Sequence, residues 1–156
     1  MTIKATPELI AHAQAHCVEH GSRLTEKRRQ VLTGLLNAGK AMSAYELAAY
    51  CRTEMGANLL PMSVYRILEF LQSVDLVHQL KLADKYVACS HINGDHKHEA
   101  PQFLICNGCD EVKEVSIPRA TLKSLAKTIE SVSYRLATRQ FELDCICATC
   151  ASQENL

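Results

Sequence analysis

Two Cys-x-x-Cys pairs constrain the folding of this chain more than any other feature. Cys106 and Cys109 form the first pair, and Cys147 and Cys150 form the second. Each pair lets two thiolates reach one ion from a single turn, and two such turns supply the four ligands of a tetrahedral zinc site. Because the pairs lie far apart in the chain, the intervening residues must fold back to join them. Redox dithiols and unrelated surface thiols are the alternatives, but two matched pairs favour zinc.

The composition is typical of a small globular protein in a reducing compartment. The chain has 156 residues, of which 47% are apolar and 22% are charged, and this length allows one domain or two small ones. Its eight cysteines would suggest disulfides in a secreted protein. However, no apolar leader follows Met1, and no apolar run is long enough to cross a bilayer. We therefore expect a cytoplasmic protein without a membrane partner, in which paired cysteines bind metal.

The first half of the sequence predicts four helices. Hydroxyl side chains at helix starts, the capping box Ser43-Ala44-Tyr45-Glu46 and glycines at helix ends mark their bounds. We expect helices over roughly residues 6–20, 25–39 and 43–53, with a fourth that begins at residues 61–63. The fourth has an apolar stripe with helical spacing and carries Ser63, Tyr65 and Arg66 away from that stripe. Such groups suit phosphates and base edges, although an ordinary amphipathic helix would have a similar polar face.

A β-hairpin is predicted directly after these helices. Residues 76–82 and 86–89 alternate between apolar and polar side chains around a short polar turn. Helices followed by a hairpin form a winged helix, whose third core helix enters the major groove of DNA. A basic cluster comprises Arg23, Lys27, Arg28 and Arg29, which is compatible with a phosphate-binding surface and equally with a solvated helix face. We assign residues 1–85 to a winged-helix DNA-binding domain.

Residues 86–156 predict a smaller α/β domain around the cysteines. Strands are expected over residues 102–105, 112–115 and 134–143, with an amphipathic helix that opens at residues 116–118. So few elements make a thin core, and zinc would help to hold it together. The predicted fold class is therefore α+β, with an N-terminal winged helix and a small C-terminal dimerisation domain that contains a four-cysteine zinc site.

A second group of metal-binding side chains lies around the junction of the two halves. Its members are His78, Cys89, His91, Asp95, His96, His98, Glu99, Glu111 and Glu114. A mixed set of imidazole, thiolate and carboxylate suits zinc, and the thiolate argues against manganese. A metal bound here would couple its own binding to the angle between the halves. Alternatively, the histidines are solvated loop residues and Cys89 is a buried apolar thiol.

Six motifs occur in a fixed order along the chain. They are Arg23-Leu24-Thr25-x-x-Arg28, Ser43-Ala44-Tyr45-Glu46-Leu47, Ser63-Val64-Tyr65-Arg66-x-Leu68-x-x-Leu71, Val77-His78 and the two Cys-x-x-Cys pairs. In this order they resemble the ferric-uptake-regulator (Fur) family, and above all its zinc-uptake-regulator branch. The resemblance extends from about residue 8 to residue 151.

The resemblance implies a homodimeric, zinc-responsive repressor that binds palindromic operator DNA and controls genes of zinc uptake. Each chain would bind about two zinc ions. The implied structural ligands are Cys106, Cys109, Cys147 and Cys150, and the implied regulatory ligands are His78, Cys89, His98 and Glu114, with His96 as the alternative to His98. The implied DNA contacts are Tyr45 and Arg66 to bases and Arg23, Thr25, Arg28 and Ser63 near the backbone, beside Tyr65.

Other functions are compatible with parts of the sequence. A sister regulator that senses iron, manganese or peroxide would share most of these motifs, and Cys89 is the residue that discriminates against it. A zinc-dependent deaminase needs H-x-E followed by P-C-x-x-C, whereas Glu99 follows His98 directly and Ile105 precedes Cys106. The sequence therefore does not predict an enzyme.

Overall fold

The computed structural model of the chain describes residues 4–94 and 101–154. These residues fall into two compact units, residues 1–96 and residues 97–156. The first unit contains α1 (Pro7–Glu19), α2 (Glu26–Ala38), α3 (Ala44–Met55), α4 (Pro61–Ser73), β1 (Val77–Leu80) and β2 (Lys85–Ala88). The second contains β3 (Gln102–Cys106), β4 (Val112–Val115), α5 (Arg119–Glu130), β5 (Phe141–Cys145) and α6 (Ala148–Glu154). None of the helices described is long and apolar enough to span a membrane.

The four predicted helices of the first unit are present, and their ends follow local sequence signals. The side chains of Thr6, Thr25 and Ser43 accept hydrogen bonds from the first turns of α1, α2 and α3. Gly39 and Gly56 follow α2 and α3 in the left-handed conformation, with φ of 64° at both positions. Short-range chemistry therefore fixes the starts of α1, α2 and α3 and the ends of α2 and α3.

The hairpin packs with the helices around one apolar core. β1 and β2 pair antiparallel from Val77 with Ala88 to Leu80 with Lys85. The backbone of Met42 exchanges hydrogen bonds of 3.0 and 2.8 Å with that of Tyr86, so the segment before α3 borders the hairpin. Because β2 pairs with β1, it belongs to the first unit, and the division between units falls after residue 96 rather than after residue 85.

The second unit is built on a three-stranded sheet with the order β4-β3-β5. β3 is antiparallel to β4 and parallel to β5. The prediction of a strand over residues 134–143 is wrong in its bounds, because the observed strand runs from Phe141 to Cys145. The pairing of β3 with β5 begins at Gln102 opposite Phe141, and the residue before Gln102 is Pro101, which has no N–H for a sheet hydrogen bond.

Helix α5 is amphipathic but buries none of its residues. Its apolar side chains, Leu122, Leu125, Ala126 and Ile129, are half-buried or exposed, and Leu125 is 41% exposed. A helix with this pattern normally places its apolar face against a core. Among the described residues, α5 therefore keeps apolar side chains exposed or half-buried.

Candidate functional site

The two Cys-x-x-Cys pairs are brought together by the register of the second unit's sheet. β3 and β5 run parallel, and Cys106 at the end of β3 pairs with Cys145 at the end of β5. The N–H of Asn107 donates to the carbonyl oxygen of Cys145 at 2.9 Å, which extends the pairing by one residue. Both strands therefore end at the same edge of the sheet, and each continues directly into its pair of cysteines.

The four thiols form a cluster whose geometry fits zinc. The sulfur atoms of Cys106, Cys109, Cys147 and Cys150 all lie within 4.8 Å of one another. The Sγ atoms of Cys109 and Cys147 are 3.9 Å apart. Tetrahedral zinc with Zn–S bonds of about 2.3 Å requires sulfur–sulfur separations of about 3.8 Å. Cys145 is not in the cluster, so the four grouped thiols are those of the two Cys-x-x-Cys pairs.

Hydrogen bonds from backbone amides favour the thiolate form of Cys106. The Sγ of Cys106 accepts hydrogen bonds from the N–H of Cys147 at 3.3 Å and of Gly108 at 3.4 Å. These two bonds lower the pKa of Cys106 to about 6. By contrast, the neighbouring thiols of Cys147 and Cys109 raise the pKa of Cys150 to about 12. Thiols this close resist carrying negative charge together, and a bound cation removes that resistance.

Gly108 is a residue of this site that the ligand pattern alone did not reveal. A Cβ atom at position 108 would lie 2.8 Å from the Sγ and 2.9 Å from the Cβ of Cys150. Both separations are too short for any side chain, so the first cysteine turn approaches the second through a glycine. A glycine placed between the two cysteines of a pair is the sequence signal that could have indicated this close approach.

The first unit brings together two of the predicted regulatory ligands. His78 lies on β1 and Cys89 directly follows β2, and both are buried. A ring nitrogen of His78 and the Sγ of Cys89 lie within 4.8 Å of each other. The Cys89 sulfur also accepts a hydrogen bond of 3.4 Å from the N–H of His91. Imidazole nitrogen and thiolate sulfur at this separation are suitable ligands for one zinc ion.

The remaining predicted regulatory ligands lie in other parts of the chain. Glu114 is on β4 of the second unit, where it is half-buried and pairs with Phe103 of β3. His96 and His98 lie outside the described residues. The assignment of Glu114 and of either histidine therefore remains a prediction.

The predicted DNA-contacting residues on α3 and α4 lie at the surface of the first unit. Tyr45 is 71% exposed and sits in the first turn of α3. Arg66 is exposed on α4, and Ser63 is half-buried near the start of that helix. Tyr65 is 39% exposed, with its ring 6.5 Å from that of Tyr86 in an edge-on arrangement. Tyr65 therefore also joins α4 to β2 of the hairpin.

The basic cluster at the start of α2 is more structured than a solvated helix face. Thr25 caps α2, because its hydroxyl accepts a hydrogen bond from the N–H of Arg28 at 3.5 Å. The guanidinium of Arg28 lies 3.4 Å from the ring centroid of Phe70 on α4 and donates to the carbonyl oxygen of Arg23 at 2.7 Å. Arg29 forms an ion pair with Glu26. The side chain of Arg23 is exposed.

Gln102 is the second residue whose role the sequence did not reveal. Its side chain is completely buried at the start of β3. Its Nε2 donates to the carbonyl oxygen of Arg139 at 2.7 Å, and its Oε1 accepts from the N–H of Phe141 at 2.8 Å. The amide thus fixes the start of β5, and a single glutamine in an apolar strand gives no sequence signal for such a long-range contact.

Comparison with known proteins agrees with these features. Residues 19–146 match the model of the Ferric uptake regulator family. The zinc uptake regulation protein of Escherichia coli (strain K12) is 31% identical over 157 residues, covering 96% of this chain and 85% of that protein. A zinc uptake regulator complexed with zinc and DNA has a TM-score of 0.78 at 29% identity, covering 97% of this chain and all of that one. Holo XcZur has a TM-score of 0.75 at 32% identity, covering 95% and 99% of the two chains. The chain therefore belongs to the ferric uptake regulator family, on its zinc-uptake-regulator branch.

Proposed function

We propose that this protein is a zinc-responsive transcriptional repressor that acts in the cytoplasm. In this proposal a zinc-loaded homodimer binds palindromic operator DNA and controls genes of zinc uptake and homeostasis. The observation that carries the proposal is the presence of two separate groups of zinc-type ligands, a four-thiol cluster and the His78–Cys89 pair. The similarity to a zinc uptake regulation protein and to a regulator complexed with zinc and DNA supports it.

The first zinc ion is proposed to be structural. Cys106, Cys109, Cys147 and Cys150 would hold it at the edge of the sheet where β3 and β5 end. A four-thiolate shell leaves no open position, which is typical of structural rather than catalytic zinc. Its role is to join the two cysteine turns and thereby the ends of the second unit's strands.

The second zinc ion is proposed to be regulatory. Its ligands would be His78 and Cys89 of the first unit, Glu114 of the second, and His98, with His96 as the alternative. Both first-unit ligands belong to the hairpin region, whose Tyr86 contacts Tyr65 of α4. Metal binding at the hairpin would thus bias the helix that carries Arg66. A coupling of about 1–3 kcal/mol would change operator affinity by roughly 5–150-fold.

Two copies of the chain are proposed to form the functional dimer. The uncovered apolar residues of α5 offer a surface for a second copy, together with Leu143 and Ile146, each 44% exposed. A two-fold dimer presents two identical DNA-binding surfaces, so its operator is a near-palindrome. The two recognition helices would meet successive major grooves about 34–36 Å apart.

The first unit is proposed to contact the operator through α3, α4 and the start of α2. Tyr45 and Arg66, both exposed, would reach base edges, with Tyr65 beside them. Arg23, Thr25 and Ser63 would lie near phosphates. Arg28 belongs to this surface by position, although Phe70 and the Arg23 carbonyl already engage its guanidinium.

Two other functions are disfavoured by specific residues. A regulator that senses iron, manganese or peroxide does not need a thiolate beside His78, whereas Cys89 is buried there. A zinc enzyme needs an open coordination position and a proton-transfer group next to the metal. A shell completed by four thiols provides neither, so we propose a regulator rather than an enzyme.

Zinc content and operator binding of Cys89→Ser test the proposal. The operator is first selected from a pool of random duplexes by the zinc-loaded wild-type protein, and Cys145→Ser is the matched control because Cys145 lies outside both ligand groups. We expect about two zinc ions per chain in the wild type and the control, and about one in Cys89→Ser. Cys89→Ser should also bind the selected duplex more weakly while remaining dimeric. Two retained ions with unchanged affinity would show that Cys89 is not part of the sensor.

A further inference from the structure

The start of α2 is an unfavourable place for so many cations. Arg28 and Arg29 lie in the first turn of α2, next to Lys27. The N-terminal end of a helix carries partial positive charge, which favours acidic rather than basic side chains. Glu26 offsets part of this charge through its ion pair with Arg29. The position of Arg28 therefore needs another explanation, and its two contacts provide one.

The guanidinium of Arg28 joins three segments of the first unit. Its Cζ lies 3.4 Å from the centroid of the Phe70 ring, which is a stacking distance for a planar cation on an aromatic face. The same group donates to the backbone carbonyl of Arg23 at 2.7 Å. The α1–α2 connection, the start of α2 and the helix α4 are thus held by one side chain.

The contacts of Arg28 fix the backbone of Arg23 with respect to α4, the proposed recognition helix. Phe70 lies one helical turn after Arg66 on α4, so the two side chains leave neighbouring parts of the same helix surface. The backbone of Arg23 is tied to Phe70 through Arg28, while the Arg23 side chain is exposed. Arg28 therefore links the backbone of Arg23 to the helix that carries Arg66.

We propose that Arg28 is a positioning residue, which places Arg23 against the phosphate backbone through its stack on Phe70 and its bond to the Arg23 carbonyl, rather than a DNA contact. The inference rests on the proposed operator binding. This positioning role requires a different side chain at position 28 than a phosphate contact would. A phosphate contact needs positive charge, which lysine also supplies, whereas this role needs the planar fork of arginine and the ring of Phe70.

Operator affinity at several salt concentrations distinguishes the two roles. The variants are Arg28→Lys, Arg28→Gln, Phe70→Leu and Phe70→Tyr, each also made with Arg23→Gln, and the probe is the duplex selected by wild-type protein. We expect Arg28→Lys and Arg28→Gln to weaken binding alike, by roughly tenfold, because neither side chain has a planar cation that can stack on Phe70 and bond the Arg23 carbonyl at the same time. Phe70→Leu should weaken operator binding although it removes no charge. Phe70→Tyr keeps an aromatic ring at this position and should keep the wild-type affinity.

The background with Arg23→Gln supplies the decisive comparison. If Arg28 acts by placing Arg23, then Arg28→Lys and Phe70→Leu have no further effect once Arg23 is removed. If the substitutions instead act by destabilising the first unit, they will still weaken operator binding in the Arg23→Gln background. That result would overturn the inference. So would full affinity for Arg28→Lys combined with a salt slope reduced by about 0.9 for Arg28→Gln, the signature of a phosphate contact. Failure of the zinc-loaded wild type to select any duplex would overturn the proposed function itself.

Discussion

The two units of this protein differ most in how much apolar surface they bury. In the first unit, all four helices and both hairpin strands contribute buried apolar side chains, and Leu32, Leu47, Leu68 and Leu71 are completely buried. Among residues 101–154 of the second unit, the buried residues are Gln102, Phe103 and Cys106. One of those three is a polar amide, and another is a thiol of the four-cysteine cluster.

This difference indicates that the second unit depends on interactions that the first does not need. Below about 70–80 residues an apolar core seldom stabilises a fold by itself, and metals or oligomerisation supply the remainder. The second unit offers both, with four grouped thiols at one end of the sheet and an uncovered apolar face on α5. In the proposed dimer, zinc and a partner chain would stabilise the second unit as the apolar core stabilises the first.

The same difference suits the proposed regulation. A repressor needs a DNA-reading surface that keeps its shape whether or not the signal is present, and a self-sufficient core in the first unit provides that. The proposed regulatory ligands His78 and Cys89 are both buried within the first unit. The hairpin can therefore respond to an ion without depending on it for folding.

Loss of the cysteine cluster should give the largest difference in stability between the two units. We expect Cys106→Ser to lose the structural zinc ion, because the remaining three thiols leave the shell open. Backbone amides of the second unit should then exchange rapidly with solvent, whereas amides of α2, α3 and α4 keep their protection. Amide hydrogen exchange followed residue by residue gives this measurement.

Leu68→Ala is the matched perturbation in the other unit. It should lower the free energy of unfolding of the first unit by about 2–5 kcal/mol, because Leu68 is completely buried. Zinc content of the cysteine cluster should stay unchanged. If Cys106→Ser exposed both units equally, the contrast between a core-based and a metal-based unit would be wrong.

Gln102 gives a smaller effect on the same unit. Replacing it by leucine leaves the N–H of Phe141 and the carbonyl of Arg139 without the partner they have now. Both hydrogen bonds are only partly shielded from water, and a typical intramolecular hydrogen bond contributes about 0.5–1.5 kcal/mol. We therefore expect Gln102→Leu to destabilise the second unit and to speed zinc release to a chelator, since β5 carries the second cysteine pair.

The control for Gln102→Leu is the same chemical change at an exposed position. Gln153 lies exposed on α6, so Gln153→Leu should leave both the stability and the rate of zinc release as they are. Equal zinc release from the two variants would mean that the register of β5 does not depend on the Gln102 amide.

The sequence predicted the first unit better than the second, for a physical reason. Helix bounds depend on signals a few residues long, such as the Thr25 cap and the glycine after α2, and these were read correctly. The bounds of β5 depend on pairing with β3, which lies far away in the chain. Pattern alone extended that strand back to residue 134, whereas its pairing with β3 begins at Phe141.

The candidate site shows the same division between local and distant signals. The spacing within each cysteine pair is a local signal, and the four thiols of the two pairs lie together in the structure. The contacts of Arg28 with Phe70 and of Tyr65 with Tyr86 join distant segments. The sequence therefore indicated that these side chains lie on a polar surface, but it did not indicate that two of them also join helices and strands.

The smallest expected effect concerns the cap of α3. Ser43 and Glu46 form a reciprocal capping box next to Tyr45, and Lys85 of β2 lies 3.6 Å from Glu46. We expect Ser43→Ala to cost about 1 kcal/mol of first-unit stability. Urea unfolding of zinc-loaded protein measures this cost, and zinc release from the cysteine cluster should not change.

Glu46 adds a pH dependence that belongs to the first unit alone. The backbone N–H of Ser43, and then Lys85, lower the pKa of Glu46 below its usual value. Since the folded pKa is the lower one, Glu46 stabilises the fold at neutral pH, and that contribution disappears as the pH falls below the ordinary glutamate range of about 4. The stability difference between wild type and Glu46→Gln, read from amides of α3, should therefore be largest near pH 7 and shrink in acid. A difference that grew in acid would mean that Glu46 is held protonated, which the capping geometry opposes because its Oε2 accepts from Ser43 at 2.7 Å.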